Sequence, residues 1–217
     1  QKQLYDLDKL RSLIDNPDIE IIKKENDTLK NQALFDEKYY HESFPKITLC
    51  GINPGRKGAG VTGVPFVDMA TLAKRLPDAN ISFSGKGTER SAQYFSEIVN
   101  HKEFGVKKFY KNFYVTNLSW VGFTKDNINY NYYDIKSKKA KEYIYEAFIN
   151  EMKVIKPDVI IPIGAEVKKT LDNLSFDSNI TIAKAVTHPG KYTYLKRPEI
   201  DNFQKQLRRI LLNYIRD

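Results

Sequence analysis

Cysteine is almost missing from this chain. Cys50 alone cannot close an intramolecular disulfide or build a Cys-based zinc site, which excludes disulfide-stapled secreted scaffolds and zinc ribbons. A reducing compartment fits, so a cytoplasmic location is expected, in a prokaryotic cytosol, or a nuclear one in a eukaryote. Long apolar runs are also missing: none approaches the ~20 residues that a membrane span needs. The start, Gln1-Lys2-Gln3-Leu4-Tyr5, has no signal-like apolar core, and no membrane partner is expected. Histidine is scarce, with 3 in the chain and no pair at i, i+4, so no metal site is expected. No serine sits in a nucleophile elbow, and neither Gly60 nor Gly85 belongs to a phosphate-binding G-K-[ST] loop. Gly58-Ala59-Gly60-Val61-Thr62-Gly63 matches the dinucleotide pattern G-x-G-x-x-G in letters only. A strand should end at its first glycine and a helix should open there, whereas Val64-Pro65-Phe66 follows the glycines. No cofactor is expected.

What the chain does have is length for one domain and positive charge in two places. Its 217 residues, 27 of them aromatic (14 Tyr, 12 Phe, 1 Trp), suffice for a single domain spanning 1–217 with a substantial core. Residues 1–44 carry 7 basic and 10 acidic side chains, 45–111 carry 11 and 5, 112–183 carry 9 and 9, and 184–217 carry 8 and 3. The overall excess of +8 is therefore confined to the second and fourth segments. A basic surface attracts polyanions, nucleic acid foremost.

The apolar positions from Leu4 to Ile22 have a spacing that favours one or two amphipathic helices, broken at Asn16-Pro17-Asp18, so residues 1–44 are expected to form a helical extension packed on the domain. Four short apolar runs then read as buried strands: 46–50, 113–116, 159–163 and 180–186. Helical patterns separate them over 68–76, 89–100, 136–155 and 165–172, and a last amphipathic helix covers 199–216. Alternation of this kind predicts an α/β fold, a four-stranded parallel sheet with helices on both faces. Pro162 is awkward in a central strand, because proline cannot donate to the ladder.

Ligands of open α/β sheets bind beyond the carboxyl ends of the strands. Those ends carry Gly51-Ile52-Asn53-Pro54-Gly55, Asn117-Leu118-Ser119, Gly164-Ala165 and Thr187-His188-Pro189-Gly190, so two amides and an imidazole share one rim. Each has an ordinary alternative. Asn53 suits a turn backbone, Asn117 suits a helix N-cap, and a lone His is often a plain surface or core residue. Their joint placement is the signal.

In order and spacing, Gly51-Ile52-Asn53-Pro54-Gly55, Thr62-Gly63-Val64-Pro65-Phe66, Val115-Thr116-Asn117-Leu118 and His188-Pro189 resemble the single-strand-selective monofunctional branch of the uracil-DNA glycosylase superfamily. The similarity runs patchily from about residue 45 to 190. It implies a three-layer α/β/α sandwich and removal of uracil, or a modified uracil, from DNA; separately, a monomer is expected. It further implies Asn53 and His188 as catalytic residues, one positioning water and the other donating to O2 of the departing base. Gly51, Ile52, Pro54, Gly55, Phe66 and Asn117 would bind the base, with Phe66 as stacking wall and Asn117 reading N3–H and O4. Arg56, Lys57, Lys86, Arg90, Lys191, Tyr192, Lys196 and Arg197 would touch DNA.

The sequence departs from that family in three places. The loop Arg56–Val61 is more basic and smaller than usual. The segment after His188-Pro189 does not preserve the duplex-entering wedge, for which Lys191 or Tyr192 is the candidate. Ser119-Trp120 replaces a small, proline-containing step. Two other functions stay open at this point: an inactive nucleic-acid binder on the same fold, and a hydrolase or binder of free nucleobases or nucleotides.

Overall fold

The computed structural model describes residues 6–22, 26–78, 87–177 and 179–215. The first parallel strand, β2 (Ile47–Gly51), sits inside the sheet rather than at its edge. It follows α1 (Leu7–Leu13), β1 (Ile19–Ile21) and α2 (Asn26–Tyr40). From β2 the chain runs through α3 (Ala59–Thr62), α4 (Met69–Arg75), α5 (Arg90–Val99) and α6 (Gly105–Asn112) to β3 (Phe113–Asn117). A hairpin, β4 (Phe123–Lys125) and β5 (Ile128–Tyr130), precedes α7 (Lys138–Ile155), β6 (Val159–Pro162), α8 (Ala165–Leu171), β7 (Thr181–Ile182) and α9 (Arg197–Leu212). The parallel sheet has the order β3-β2-β6-β7, so the chain reverses direction across β2 and opens a crevice at that switch.

Alternation along the strands divides the core in two. Leu49, Phe113, Val115 and Ile161 point to one face, where α2, α4, α5, α6 and α9 bring Phe35, Leu72, Phe95, Phe109 and Leu207. Cys50 and Ile160 point to the other, against Leu10 of α1, Ile144 and Phe148 of α7 and Val167 of α8. Both faces are buried, which is why the strands read as continuous apolar runs. The expected three-layer α/β/α sandwich is the fold. Pro162 ends β6, and its carbonyl accepts from Val186 while Ile163 N–H donates the other way, to Cys50. Its missing donor thus faces the edge strand β7, which has left the ladder after Ile182.

The N-terminal expectation needs correction. Ile19-Glu20-Ile21 is a strand, not helix: it pairs antiparallel with β4, which pairs with β5, making a second sheet. The Asn16 side chain accepts from Asp18 N–H at 2.9 Å and turns the chain, and Ile19 is buried while Glu20 is exposed, the alternation of a half-buried strand. The tight β4–β5 turn places Asp126 and Asn127 at φ 52° and 59°, the left-handed pair of a type I′ hairpin.

Candidate active site

β2 and β3 end side by side, with Gly51 in register with Asn117. Leu118 and Ser119 N–H donate to the carbonyls of Gly51 and Ile52, extending the ladder past the strand ends. The Asn117 amide is thereby fixed, 6% exposed, and among the described residues no protein group hydrogen-bonds to it. Behind it, Trp120 Nε1 donates to Glu151 Oε2 at 3.1 Å, and Tyr114 OH donates to Oε1 at 2.9 Å. Trp120 therefore pins the turn that follows Asn117. Gly51 is glycine for want of room, since a Cβ there would overlap Asn117 Oδ1 and lie 2.7 Å from the Phe66 ring. Gly51→Ala is expected to displace both groups and cost roughly 1–3 kcal/mol of stability, which thermal melting of the variant checks.

Phe66 holds an uncommon φ of 56°, which turns its ring back over Gly51. One face stacks on Phe95 with centroids 4.7 Å apart, and the His188 ring lies 5.6 Å away. His188 Nδ1 accepts from Gly190 N–H at 3.0 Å, which leaves the proton on Nε2. Burial, helped by the positive charge of Lys191, lowers the imidazole pKa to about 4, so the ring is a neutral N–H donor at pH 7.

Asn53 uses its amide on backbone. Nδ2 donates to Tyr130 O at 3.3 Å and Pro54 O at 3.4 Å, and Oδ1 accepts from Tyr132 N–H at 3.1 Å. One residue thus ties the hairpin to the end of β2, leaving a single acceptor site on Oδ1.

These groups surround a cavity of about 100 Å³ lined by Ile52, Asn53, Gly55, Phe66, Asn117 and His188. Gly51 lies beneath Phe66 and Asn117, and Pro54 faces a separate void of about 30 Å³. Sequence reading missed Glu89 and Ser91 at the start of α5, and Asn129 and Asn131 on the hairpin, all of which line the same cavity. The Asp126-Asn127 pair between two short β-rich runs was the available signal for the hairpin.

Arg56, Lys57, Arg90, Lys191 and Lys196 are exposed, whereas Lys86 lies outside the described residues. Arg197 is exposed but paired with Glu97 (3.1 Å) and Asp201 (2.8 Å), beside a different cleft. Tyr192 is a correction. At 1% exposure it packs between Tyr94 and Phe203 and cannot reach DNA, whereas Tyr194, at the end of the same 3-10 turn (Pro189–Tyr194), is 89% exposed. Among the described residues no helix is long and apolar enough to cross a membrane.

No curated protein matches the sequence. The crystal structure of SMUG2 from Pedobacter heparinus is similar, with a TM-score of 0.72 at 28% identity, covering 94% of this chain and 95% of that one. The family model of the uracil DNA glycosylase superfamily matches residues 37–212, which include the ends of all four parallel strands and the turn that carries His188. On that match, the chain belongs to the uracil-DNA glycosylase superfamily.

Proposed function

We propose that this protein is a monofunctional DNA glycosylase that hydrolyses the N-glycosidic bond of uracil, or of a modified uracil, in DNA and so starts base excision repair. One observation carries the reading: an amide without a protein partner among the described residues, at Asn117, and a neutral imidazole N–H, at His188, meet on one cavity walled by Phe66. A base within a duplex is out of reach, so it is flipped into the cavity or taken from a single strand. Asn117 Oδ1 accepts from N3–H and Nδ2 donates to O4, a pattern cytosine cannot match at both atoms. Cleavage leaves negative charge on the base, and a donor aimed at O2 stabilises that charge more in the transition state than in the ground state. His188 Nε2–H is that donor. Asn53 accepts from the attacking water through its remaining Oδ1 site, orienting a water lone pair toward C1′. An amide is a weak base, so turnover is modest. Among the described residues no lysine lines the cavity, and water, not an amine, is the nucleophile in this reading.

Arg56, Lys57, Arg90, Lys191 and Lys196 contact phosphates in this reading, and Tyr194 takes the wedge role in place of Tyr192. Log affinity for DNA is then expected to fall with log salt by about 0.9 per phosphate neutralised, and a flat profile would remove DNA as the ligand. The direct test incubates the protein with uracil- and thymine-containing oligonucleotides, single and double stranded. Abasic sites are scored after alkali beside Asn53→Ala. Uracil-dependent sites lost in the variant support the reading. Salt-sensitive binding without cleavage would instead identify a DNA binder on the glycosylase fold.

A further inference from the structure

A groove of about 720 Å³ runs along α6 and past the end of α9, and the reaction above has no use for it. Its floor is apolar: Phe104 is buried, Val106 and Ile215 are half-buried, and a Cβ at Gly105 would meet nothing within 4 Å. Its rim is cationic. Lys107, Lys108 and Lys111 are exposed, and among the described residues none of them forms an ion pair. Spacings of three and four residues put Lys111 beside both of the others, and like charges so placed on a helix repel. The negative end of the α6 dipole offsets part of that repulsion, but among the described residues no acidic side chain lines the groove. Asn112 Nδ2 donates to Lys108 O at 2.9 Å, which leaves Oδ1 as an acceptor on the same wall.

Asn112 directly precedes Phe113, the first residue of β3, whereas Asn117 is its last. The groove thus reaches the opposite end of the sheet from the cavity of Asn117 and His188, and the two share no lining residue. We propose that this groove is a docking site for an extended acidic segment of a partner protein that carries a large apolar side chain. Its carboxylates meet the three lysines, its apolar side chain covers Val106, Ile215 and the lysine stems, and a backbone N–H donates to Asn112 Oδ1. An apolar centre inside a charged rim is how protein interfaces are built, and complementary charge steers the partner in. Single-stranded nucleic acid fits less well, because it needs open ring faces to stack on. Phe104, the one ring in the groove, is buried edge-on against Phe109 (5.6 Å, 86°) and Phe113 (6.2 Å, 80°). A membrane surface needs apolar groups that project beyond the charged ones, the reverse of this arrangement.

The test titrates the full chain into a short fluorescein-labelled peptide of aspartates closed by a phenylalanine and reads anisotropy. The parent is expected to bind, and exchange of the phenylalanine for alanine in the peptide to weaken binding roughly tenfold or more. Joint replacement Lys108→Glu and Lys111→Glu is expected to weaken it by roughly tenfold to hundredfold. The chain is basic overall, so Lys136→Glu with Lys139→Glu, equally exposed and equal in charge change, serves as control and should leave the affinity within about twofold. Thermal melts of both double variants guard against misfolding. Equal weakening by the two pairs would reduce the effect to net charge and overturn the proposal, as would a parent that ignores the peptide. Labelled oligothymidylate and anionic vesicles complete the set: tighter binding of either, lost in the Lys108 and Lys111 variant, would give the groove to nucleic acid or membrane instead. None of these outcomes depends on the glycosylase reading.

Discussion

Replacing His188 by alanine is expected to lower the rate of uracil release by roughly 10²–10³, the usual effect of removing one donor from a developing oxyanion. The loss should fall on kcat more than on KM, because the bond to O2 strengthens as charge moves onto the base. The protonation state makes the pH profile part of the prediction. With its pKa lowered to about 4 and Nδ1 occupied by Gly190 N–H, the ring donates as neutral imidazole. The rate should therefore show no His188 titration from about pH 5.5 to 8.5, and a limb near an unperturbed histidine value of ~6.5 would contradict this tautomer. Stability follows the same group. The unfolded chain takes up a proton here below about pH 6.5, but the folded chain does so only near pH 4. Stability is thus lost as pH falls across that window, by up to roughly 3 kcal/mol, and His188→Ala should flatten the loss. Denaturant melts at several pH values measure it.

Asn53→Asp is expected to damage the protein rather than improve its base. A carboxylate is the stronger proton acceptor, yet here one of its oxygens would replace Nδ2 and face the carbonyls of Tyr130 and Pro54, both now accepting from the amide. Two hydrogen bonds would become two repulsions in a partly buried place. The cost is roughly 1–3 kcal/mol or more, which in a domain of this size lowers Tm by about 2–4 °C per kcal/mol. The hairpin should loosen with it, and excision should fall by at least roughly tenfold. Calorimetry with single-turnover kinetics decides the matter: a faster and equally stable variant would show that Asn53 does not tie the hairpin.

How far the sequence could be read depended on how far apart the partners lie. Of the parallel strands, β2, β3 and β6 were legible because their apolar runs are buried between two helical layers, whereas the run 180–186 forms only the two-residue edge strand β7, with Thr181 exposed; Asn117 and His188 were legible because strand ends in such sheets converge. The second sheet was not. Ile19-Glu20-Ile21 is only three residues long, and its partner Phe123–Lys125 lies far along the chain, so spacing within the first segment resembled a helix. The hairpin turn is Asp126-Asn127, without the glycine that usually advertises one. Glu89 and Tyr192 misled in opposite directions. A glutamate beside an arginine looks like solvated surface, until two distant glycines leave a space for its carboxylate. A tyrosine between Lys191 and Thr193 in a basic stretch looks exposed, until α5 and α9 close over it.

The tie between Asn53 and the hairpin has a consequence for the order in which the molecule is made. β1 leaves the ribosome early, but its partner β4 and the Tyr130 carbonyl that holds Asn53 are translated much later. Such long-range pairing is slow to form, and β1 must wait for it. Through synthesis of its first half, the nascent chain therefore has the Gly51–Gly55 turn without the hairpin that steadies it. The cavity is complete only late, when the hairpin docks and His188 has emerged.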